Sequence, residues 1–265
     1  MDWTFNPAAL GFRPRDTKNG SMPTAIVTGG ARGLGRVYCV ALAGDGFDVV
    51  VADVLDTTGA VDEITAGGGR AVGCRTDISS RADTEAMAAA AAEAFGTIDV
   101  LINNAAYYSQ ITRSPFNEVS LQDWDRAFEV NVRGAWLTCC AVYPYMKKQG
   151  SGKIINISST TCFKGTVGFP HYVVSKTALI GLTRCLAEEL GPDGITVNTV
   201  TPDLIPNPML RPSDAASDQF VVTGRSIKRT QVPEDMVGTI LYLAGRGSDF
   251  VTGQNIVVNG GAFYQ

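Results

Sequence analysis

The chain has 265 residues, 45% of them hydrophobic, and a formal net charge of −4 at pH 7. This length and composition suffice for one domain with a sizeable core. The acidic balance and the lack of a basic run argue against a nucleic-acid-binding surface, and no apolar stretch of about 18 residues is present to cross a membrane.

Strand-like and helix-like segments alternate along the chain, an order typical of a parallel sheet with helices on both faces. Strands are predicted near residues 24–28, 47–53, 71–76, 98–102, 153–157, 195–200 and 255–258. Helices are predicted near residues 34–45, 57–67, 82–95, 121–148, 172–190 and 233–244. The sequence therefore predicts a seven-stranded, doubly wound parallel α/β sheet of the Rossmann type, in a single domain over residues 23–265.

Two segments fall outside this alternation. Residues 1–22 are expected to form an N-terminal arm that packs against its own subunit or a neighbour. They lack the pattern of a secretory signal, so we expect a cytoplasmic protein. Residues 203–231 are rich in proline and irregular, and a loop of this length in a compact domain is usually functional; we expect a substrate lid.

A glycine-rich turn links the first strand to the first helix. It reads Thr28-Gly29-Gly30-Ala31-Arg32-Gly33-Leu34-Gly35, with the spacing G-x-x-x-G-x-G. Glycines allow close approach of the backbone to a pyrophosphate, and the helix N-terminus offers unpaired N–H groups. We therefore favour a dinucleotide-binding loop over a glycine turn that only connects the strand to the helix.

The end of the second predicted strand carries Asp53. A carboxylate here accepts hydrogen bonds from an adenosine ribose and repels the additional phosphate of NADP. Arg32 is an opposing signal, since a base in the glycine turn pairs with that phosphate. We give Asp53 more weight because its charge lies at the ribose, and we predict NAD as the cofactor; an NADP-dependent carbonyl reductase is the alternative.

Tyr172 and Lys176 are four residues apart on a predicted helix, so they share one face. An ammonium about 5 Å from the phenol is expected to favour the phenolate by about 3 kcal/mol, which lowers the phenol pKa by about two units. Ser159 follows a predicted strand and is expected to hold the substrate oxygen. The group predicts proton transfer, although a surface Tyr–Lys pair on an ordinary amphipathic helix is the simpler alternative.

On these motifs the chain resembles the short-chain dehydrogenase/reductase family in its single-domain form, and in particular its NAD-dependent steroid-type and aryl-alcohol members. The matching motifs are Thr28-Gly29-x-x-x-Gly33-x-Gly35, Asp77-Ile78, Asn103-Asn104-Ala105-Ala106, Asn131, Ser159, Tyr172-x-x-x-Lys176 and Pro202. The resemblance implies a symmetric homodimer or homotetramer. It also implies four catalytic residues, Ser159, Tyr172, Lys176 and Asn131, the last helping to hold a water that relays protons.

The resemblance further implies a set of cofactor contacts. They are Gly29, Arg32, Gly33, Leu34, Gly35, Asp53, Val54, Asp77, Ile78, Asn103, Ala105, Ala106, Tyr172, Lys176, Pro202, Asp203, Ile205 and Asn207. Three of these positions depart from the family. Ala106 and Asp203 stand where glycine is usual, and Asn207 stands where a threonine usually bonds the nicotinamide amide. Asp203 would bring a negative charge close to the site.

Apolar and aromatic residues follow the strands that carry the predicted catalytic groups. The predicted substrate contacts are Tyr107, Tyr108, Cys162, Phe163, Phe169, Met209 and Leu210, with Ile205 also near the pocket. This lining suits an aromatic or alicyclic secondary alcohol or ketone. Lys164 and Arg211 leave room for one carboxylate on the substrate.

Other classes of function find less support in the sequence. The six cysteines show no metal-ligand spacing, so we expect reduced core thiols and no metal site. His171 is the only histidine and no G-x-S-x-G elbow accompanies it, which argues against a serine hydrolase. A cofactor-binding regulatory protein without activity remains the alternative from another class. Apolar residues around helices 121–148 and 172–190 predict a subunit interface.

Overall fold

The computed structural model describes residues 22–206 and 221–264. Its strands form one parallel sheet in the order β3-β2-β1-β4-β5-β6-β7. Their bounds are Thr24–Thr28 (β1), Asp48–Asp53 (β2), Ala71–Arg75 (β3), Val100–Asn103 (β4), Gly152–Ile157 (β5), Ile195–Pro202 (β6) and Asn255–Val258 (β7). The predicted seven-stranded parallel α/β fold is confirmed.

Strands in the middle of the sheet are buried on both faces, as parallel strands covered by helices should be. In β1, Ala25 and Val27 pack into one hydrophobic cluster while Ile26 between them packs into another. The first cluster lies under the helices Gly33–Gly44 and Glu234–Ala244, and the second lies under the helices Arg81–Phe95, Ala135–Gln149 and Pro170–Leu190. Alternate side chains of one strand therefore anchor the two helical layers.

The helices lie close to the predicted bounds, except for a break in the middle of the chain and the short helix Thr161–Lys164, which was not predicted. They are Gly33–Gly44 (α1), Thr58–Ala66 (α2), Arg81–Phe95 (α3), Leu121–Phe128 (α4), Ala135–Gln149 (α5), Thr161–Lys164 (α6), Pro170–Leu190 (α7) and Glu234–Ala244. The single helix predicted over 121–148 is wrong in one respect. A π-helical segment, Glu129–Gly134, separates α4 from α5, and such segments occur most often at functional sites.

The strand order reverses between β1 and β4. The chain runs outward from β1 to β3, then crosses back to place β4 on the other side of β1. Open α/β sheets bind ligands in the crevice at such a switch point, outside the carboxyl ends of the strands. This edge carries the loops after β1, β4, β5 and β6.

Two of the sequence-based expectations fall, one almost wholly and one in part, on residues that the structure does not describe. The N-terminal arm lies outside the described residues except for Met22, and so do residues 207–220 of the expected lid. Among the described residues, no helix combines the length and the apolar character needed to span a membrane.

Candidate active site at the carboxyl edge of the sheet

The glycine turn closes tightly upon itself and upon the loop after β4. A Cβ atom on Gly35 would lie 2.0 Å from the carbonyl oxygen of Gly29, and one on Gly29 would lie 2.8 Å from the Cα of Ala105. Gly29 and Gly33 also adopt positive φ angles of 67° and 59°, which favour glycine. Each of the three predicted glycines is therefore required by backbone geometry.

The N-terminus of α1 has the character of an anion site. Its N-cap residue, Arg32, makes no side-chain hydrogen bond to the first turn, and that turn contains no acidic residue. Unpaired N–H groups at a helix start attract phosphate. The turn therefore fits the pyrophosphate of a dinucleotide, and Gly33, Leu34 and Gly35 supply the first helical amides.

Asn104 ties the two loops together, a role that the sequence analysis did not assign. Its side-chain Nδ2 donates to the carbonyl oxygens of Thr28 and Gly29 at 2.9 and 3.2 Å. The Thr28 hydroxyl in turn accepts from the backbone N–H groups of Asn104 and Ala105. The neighbouring Asn103 instead points into the core, where it bonds Thr138 and Asn156. The Asn103 side chain is thus committed to the core, and the cofactor contact predicted for this residue stays a prediction.

Asp53 lies beside the glycine turn at the end of β2. Its two carboxylate oxygens accept from the backbone N–H groups of Ala31 and Leu55, both at 3.0 Å. Among the described residues it makes no ion pair. Arg32 is exposed, as is Val54 at the tip of the following loop. The acidic group and the basic group that oppose each other in choosing a cofactor thus both lie at this end of the crevice.

The loop after β3 borders the same end. The Asp77 carboxylate accepts from the amide and hydroxyl of Ser79 at 2.9 and 2.6 Å, and Arg126 lies 3.8 Å away. Burial raises the pKa of Asp77, but these hydrogen bonds and the arginine outweigh it, so the pKa lies below its usual value. Ile78 is buried against Gly134 of the π-helical segment.

Ser159 lies in the turn after β5, close to the Tyr172 phenol. Its Oγ accepts from the amide and the hydroxyl of Thr161 at 3.3 and 3.0 Å. The backbone N–H of the intervening Thr160 donates to the carbonyl oxygen of Pro202 at 3.0 Å. The serine hydroxyl is thus oriented by its own turn, which is fixed to the end of β6.

Tyr172 lies in the first turns of α7 and is almost fully buried. Burial raises the pKa of its phenol above the ordinary value, and a hydrogen bond with Ser159 acts in the opposite direction. The expectation that Lys176 brings the phenol pKa down by about two units is therefore wrong for this structure. Burial of the phenol is the stronger influence.

Lys176 is buried one helical turn further along α7. Its Nζ donates to the carbonyl oxygen of Ile157 at 2.8 Å, and its own carbonyl oxygen accepts from the Ser158 hydroxyl at 2.9 Å. Burial lowers the pKa of this lysine to about 8. The two bonds connect α7 to the end of β5, next to the turn that carries Ser159.

Asn131 reaches the site from the π-helical segment. Its Oδ1 accepts from the backbone N–H of Tyr107 at 2.7 Å, and its Nδ2 donates to the Ser175 hydroxyl at 3.0 Å. A side chain bonded to both the loop after β4 and α7 holds these two elements together. The structure therefore brings all four residues predicted as catalytic to one edge of the sheet.

Aromatic side chains surround the Tyr172 ring. Tyr108 and Phe169 lie 5.1 and 5.3 Å from it between ring centroids. Only 2% of Phe169 is exposed, so this ring packs beneath its neighbours and does not present surface to a substrate, contrary to the prediction. Tyr107 donates its hydroxyl to Asp123 at 3.0 Å.

Other predicted pocket residues lie around the Ser159 turn. Phe163 packs against Phe263 at 5.1 Å, and Cys162 lies 3.4 Å from the Ser158 hydroxyl. Asn207, Met209, Leu210 and Arg211 lie outside the described residues. Ile205 is half-buried and packs against the hydrophobic cluster under α1.

Asp203 is neutralised, so the negative charge expected near the site does not act alone. Lys164 and Arg225 pair with its two oxygens at 2.5 and 3.1 Å. Burial raises the Asp203 pKa, but bonds from Lys164 and Thr160 outweigh this and keep it below the ordinary value. Because Lys164 is engaged here, it does not serve as the free cation expected for a substrate carboxylate.

The cysteines and the single histidine differ in burial. Cys39 and Cys139 are buried thiols, but Cys185 is exposed, so the expectation of core thiols holds only in part. His171 is buried, and neither ring nitrogen has a hydrogen-bond partner among the described residues. Burial lowers its pKa, so the ring is neutral and packs against Phe169.

Comparison with known proteins agrees with the resemblance to the short-chain dehydrogenase/reductase family. A family model described as Enoyl-(Acyl carrier protein) reductase matches residues 29–262. The chain is 36% identical to the (2S)-[(R)-hydroxy(phenyl)methyl]succinyl-CoA dehydrogenase subunit BbsD of Thauera aromatica, over 89% of this chain and 95% of the relative. It is 37% identical to a 3-alpha-(or 20-beta)-hydroxysteroid dehydrogenase of Mycobacterium tuberculosis, over 89% of this chain and 88% of the relative.

A solved structure agrees in fold along nearly the whole chain. A mutant of a short-chain dehydrogenase/reductase from Serratia marcescens superimposes with a TM-score of 0.84 at 31% identity, over 91% of this chain and 98% of that one. The family match spans the glycines of the turn and the Ser159, Tyr172 and Lys176 positions together. The chain belongs to the short-chain dehydrogenase/reductase family of oxidoreductases.

Proposed function

We propose that this protein is an NAD-dependent oxidoreductase that interconverts a secondary alcohol and its ketone. The observation that carries the proposal is the convergence of Ser159, Tyr172, Lys176 and Asn131 beside the glycine turn. Residues from β5, α7 and the π-helical segment meet at one edge of the sheet through the hydrogen bonds described above. A merely structural set would not need a tyrosine, a serine and a lysine converging beside a phosphate-binding turn.

Members of the family use a nicotinamide cofactor, and the described residues fit one. The glycine turn and the first amides of α1 would hold the pyrophosphate, and Asp53 would bind the adenosine ribose. When bound, such a cofactor supplies or accepts the hydride. Pro202 and Ile205, at the end of β6, are the described residues that we propose for its nicotinamide end.

Tyr172 and Ser159 perform the proton chemistry in this proposal. The raised pKa keeps the phenol protonated at neutral pH, so Tyr172 donates a proton to the oxygen of a ketone as the alcohol forms. The Ser159 hydroxyl holds the same oxygen. Lys176, with a pKa lowered to about 8, adds positive charge near the phenol at neutral pH, and Asn131 fixes the loop after β4 against α7.

The choice of NAD over NADP follows from the two charged groups at the ribose end. The Asp53 carboxylate is buried and already accepts two backbone hydrogen bonds, so its position is fixed. Arg32 is exposed at the start of α1 and has more freedom to move away. A fixed negative charge at the ribose disfavours an additional phosphate.

The aromatic surroundings of Tyr172 support a ring-bearing substrate. Tyr107 and Tyr108 are only partly buried and pack against the buried cluster of Ile111, Phe169 and Tyr172. These two tyrosine rings are therefore the aromatic surface that a substrate would meet. The names of the two relatives mention a phenyl group and a steroid, both bulky and apolar. We therefore propose an aromatic or alicyclic alcohol or ketone, without the carboxylate contact from Lys164.

A homodimer or homotetramer is part of the same proposal. Leu121 and Trp124 on α4, Trp136 on α5 and Val174 on α7 are apolar side chains with more than a third of their surface exposed. Their helices are those predicted to form a subunit interface. Light scattering at micromolar concentration should give a multiple of the 28.0 kDa chain mass, and a monomer mass would contradict the interface.

The proposed activity is tested with a panel of secondary alcohols incubated with NAD or NADP, following absorbance of the reduced cofactor. We expect turnover with aromatic and alicyclic alcohols and a higher kcat/KM with NAD. A preference for NADP would favour the carbonyl reductase alternative. Tight NADH binding without turnover on any alcohol or ketone would favour a regulatory protein.

A further inference from the structure

We propose that Asp203 is a positioning residue whose carboxylate, held between Thr160 and Arg225, fixes the turn that carries Ser159. This inference rests on the proposed function, because Ser159 is taken to bind the reacting oxygen. Asp203 stands at a position where the family usually has glycine. Its effect on the reaction is indirect, through Thr160.

One carboxylate oxygen of Asp203 binds the serine turn. Its Oδ1 accepts from the Thr160 hydroxyl at 2.6 Å and from Lys164 Nζ at 2.5 Å. The Thr160 N–H also donates to the carbonyl oxygen of Pro202, so Thr160 is tied twice to the end of β6. The next residue, Thr161, bonds the Ser159 hydroxyl, so the orientation of Ser159 depends on this attachment.

The other carboxylate oxygen binds a buried arginine. Oδ2 of Asp203 accepts from Nε and Nη2 of Arg225 at 3.2 and 3.1 Å, and the two side chains are 3% and 2% exposed. The same guanidinium donates to the carbonyl oxygens of Leu204 and Arg229 at 2.9 and 3.1 Å. A planar fork of donors fixes direction as well as distance, so the carboxylate cannot rotate without breaking several bonds.

Gln231 connects the same point to the last strand. Its Oε1 accepts from the Asp203 N–H at 3.2 Å, while its Nε2 donates to the carbonyl oxygen of Val258 in β7 at 2.8 Å. Both the backbone and the side chain of Asp203 are therefore held. The serine turn is attached to this rigid point through Thr160.

The location of this network favours a role in the reaction over a purely structural one. β5 and β6 are neighbours, with Ile157 paired to Val200, and Asp203 and Ser159 each follow shortly after the end of one of them. A small displacement of a group that holds the reacting atom can cost about a hundredfold in rate. Loss of the hydrogen bond between Thr160 and Asp203 should therefore lower turnover while the protein stays folded.

The test replaces the Thr160 hydroxyl in two ways. Thr160→Val keeps the shape and removes the bond to Asp203, whereas Thr160→Ser keeps the hydroxyl. We expect Thr160→Val to lower kcat by about tenfold or more, with NADH affinity within about twofold of wild type, and Thr160→Ser to restore most of the loss. Thr65→Val, which removes the hydroxyl that bonds Val61 in α2, is the matched control and should leave kcat unchanged.

A second readout does not depend on activity. Hydrogen–deuterium exchange of residues 158–165 should be faster in Thr160→Val than in wild type, and close to wild type in Thr160→Ser. Unchanged exchange would overturn the proposal, and so would faster exchange with unchanged kcat, since the turn would then be held without positioning Ser159. If the wild type turns over no alcohol or ketone, the proposed function fails, and the exchange result alone decides whether Asp203 holds the turn.

Discussion

Asp53 ends β2 near the glycine turn, and Asp203 directly follows β6 near Ser159, both at the same edge of the sheet. Both carboxylates are buried, but their partners differ. Asp53 accepts two backbone N–H groups and makes no ion pair within the described residues. Asp203 is bonded by Thr160, Lys164 and Arg225. The first keeps oxygen lone pairs for a ligand, while the second is fully used within the protein.

The difference shows that a carboxylate at the end of a strand is not by itself a ligand contact. Its hydrogen-bond and ion-pair partners within the protein decide whether it can bind a ligand. It also divides the edge into two halves. The half at β1 and β2 presents backbone amides and one carboxylate, a surface suited to binding a dinucleotide. The half at β5 and β6 presents hydroxyls and an amine whose positions are fixed by side-chain bonds, an arrangement suited to proton transfer. Changes in one half should therefore leave the property of the other intact.

The largest expected effect comes from the buried arginine. Arg225→Met leaves Asp203 with less than its full set of donors, and breaking a buried pair typically costs about 3–5 kcal/mol of stability. We expect the urea midpoint to fall accordingly. Arg229→Met is the control, because Arg229 is exposed and pairs with Asp235 at the surface; its midpoint should change little. Equal midpoints for the two variants would contradict the structural role of Arg225.

The next largest effect is expected for Tyr172→Phe. Removing the proton donor should lower kcat by about a hundredfold or more, equivalent to about 2.7 kcal/mol. The ring contacts with Tyr108 and Phe169 remain possible, so the fold should persist. Tyr143→Phe, which removes an α5 hydroxyl that donates to Asp193 just after the end of α7, should turn over like wild type. Turnover near wild type in Tyr172→Phe would remove this residue from the mechanism.

Lys176 should give stability a characteristic pH dependence. Burial lowers its pKa from 10.5 to about 8, so between these values the unfolded chain holds a proton that the folded chain has released. The lysine's contribution therefore increases as the pH rises through this range, and is lost as the pH falls through 8, by at most about 1.4 kcal/mol per unit.

The difference in unfolding free energy between wild type and Lys176→Met isolates this contribution. It should grow in favour of wild type from pH 8 to 10 and stay constant from pH 6 to 7. The range stops at pH 10 because the lysine's contribution levels off above its ordinary pKa of 10.5. A difference that stays flat from pH 8 to 10 would mean that the lysine is not buried in a charge-disfavouring environment.

The smallest effect concerns cofactor choice. Asp53→Asn removes the negative charge and keeps one acceptor for the Ala31 or Leu55 amide. We expect the ratio of kcat/KM for NAD over NADP to fall by about tenfold, or about 1.4 kcal/mol. Asp56→Asn, a nearby carboxylate bonded to Thr58, should leave the ratio unchanged. If the Asp53 variant keeps the wild-type ratio, Arg32 or another group sets the preference.

Local sequence patterns were sufficient to predict the doubly wound parallel sheet, the glycine turn and the Tyr172–Lys176 pair. These features depend on residues close in sequence, where strand and helix periodicity act directly. The bonds that complete the site are long-range. Asp203 finds Arg225 twenty-two residues later, and Asn104 bonds the turn after β1.

Electrostatics of the site also depended on the three-dimensional structure. The spacing of Tyr172 and Lys176 was enough to predict that they are neighbours. It did not predict their burial, which raises the pKa of Tyr172 and lowers the pKa of Lys176. The π-helical turn around Asn131 likewise interrupts a helix whose sequence is continuous in pattern. For the network around Asp203, the sequence offered one signal. Asp203 stands where glycine is usual, and an acid that becomes buried there requires a cationic partner.

The division of the edge into a binding half and a chemical half is tested most directly by measuring NAD(H) affinity and turnover on the same two variants, Asp53→Asn and Tyr172→Phe. Fluorescence titration with NADH and single-turnover reduction of an aromatic ketone give the two quantities. We expect weaker NADH binding with a near-wild-type single-turnover rate at saturation for Asp53→Asn, and near-wild-type NADH binding with a much lower single-turnover rate for Tyr172→Phe. Two variants that lose both properties equally would contradict the division into two halves.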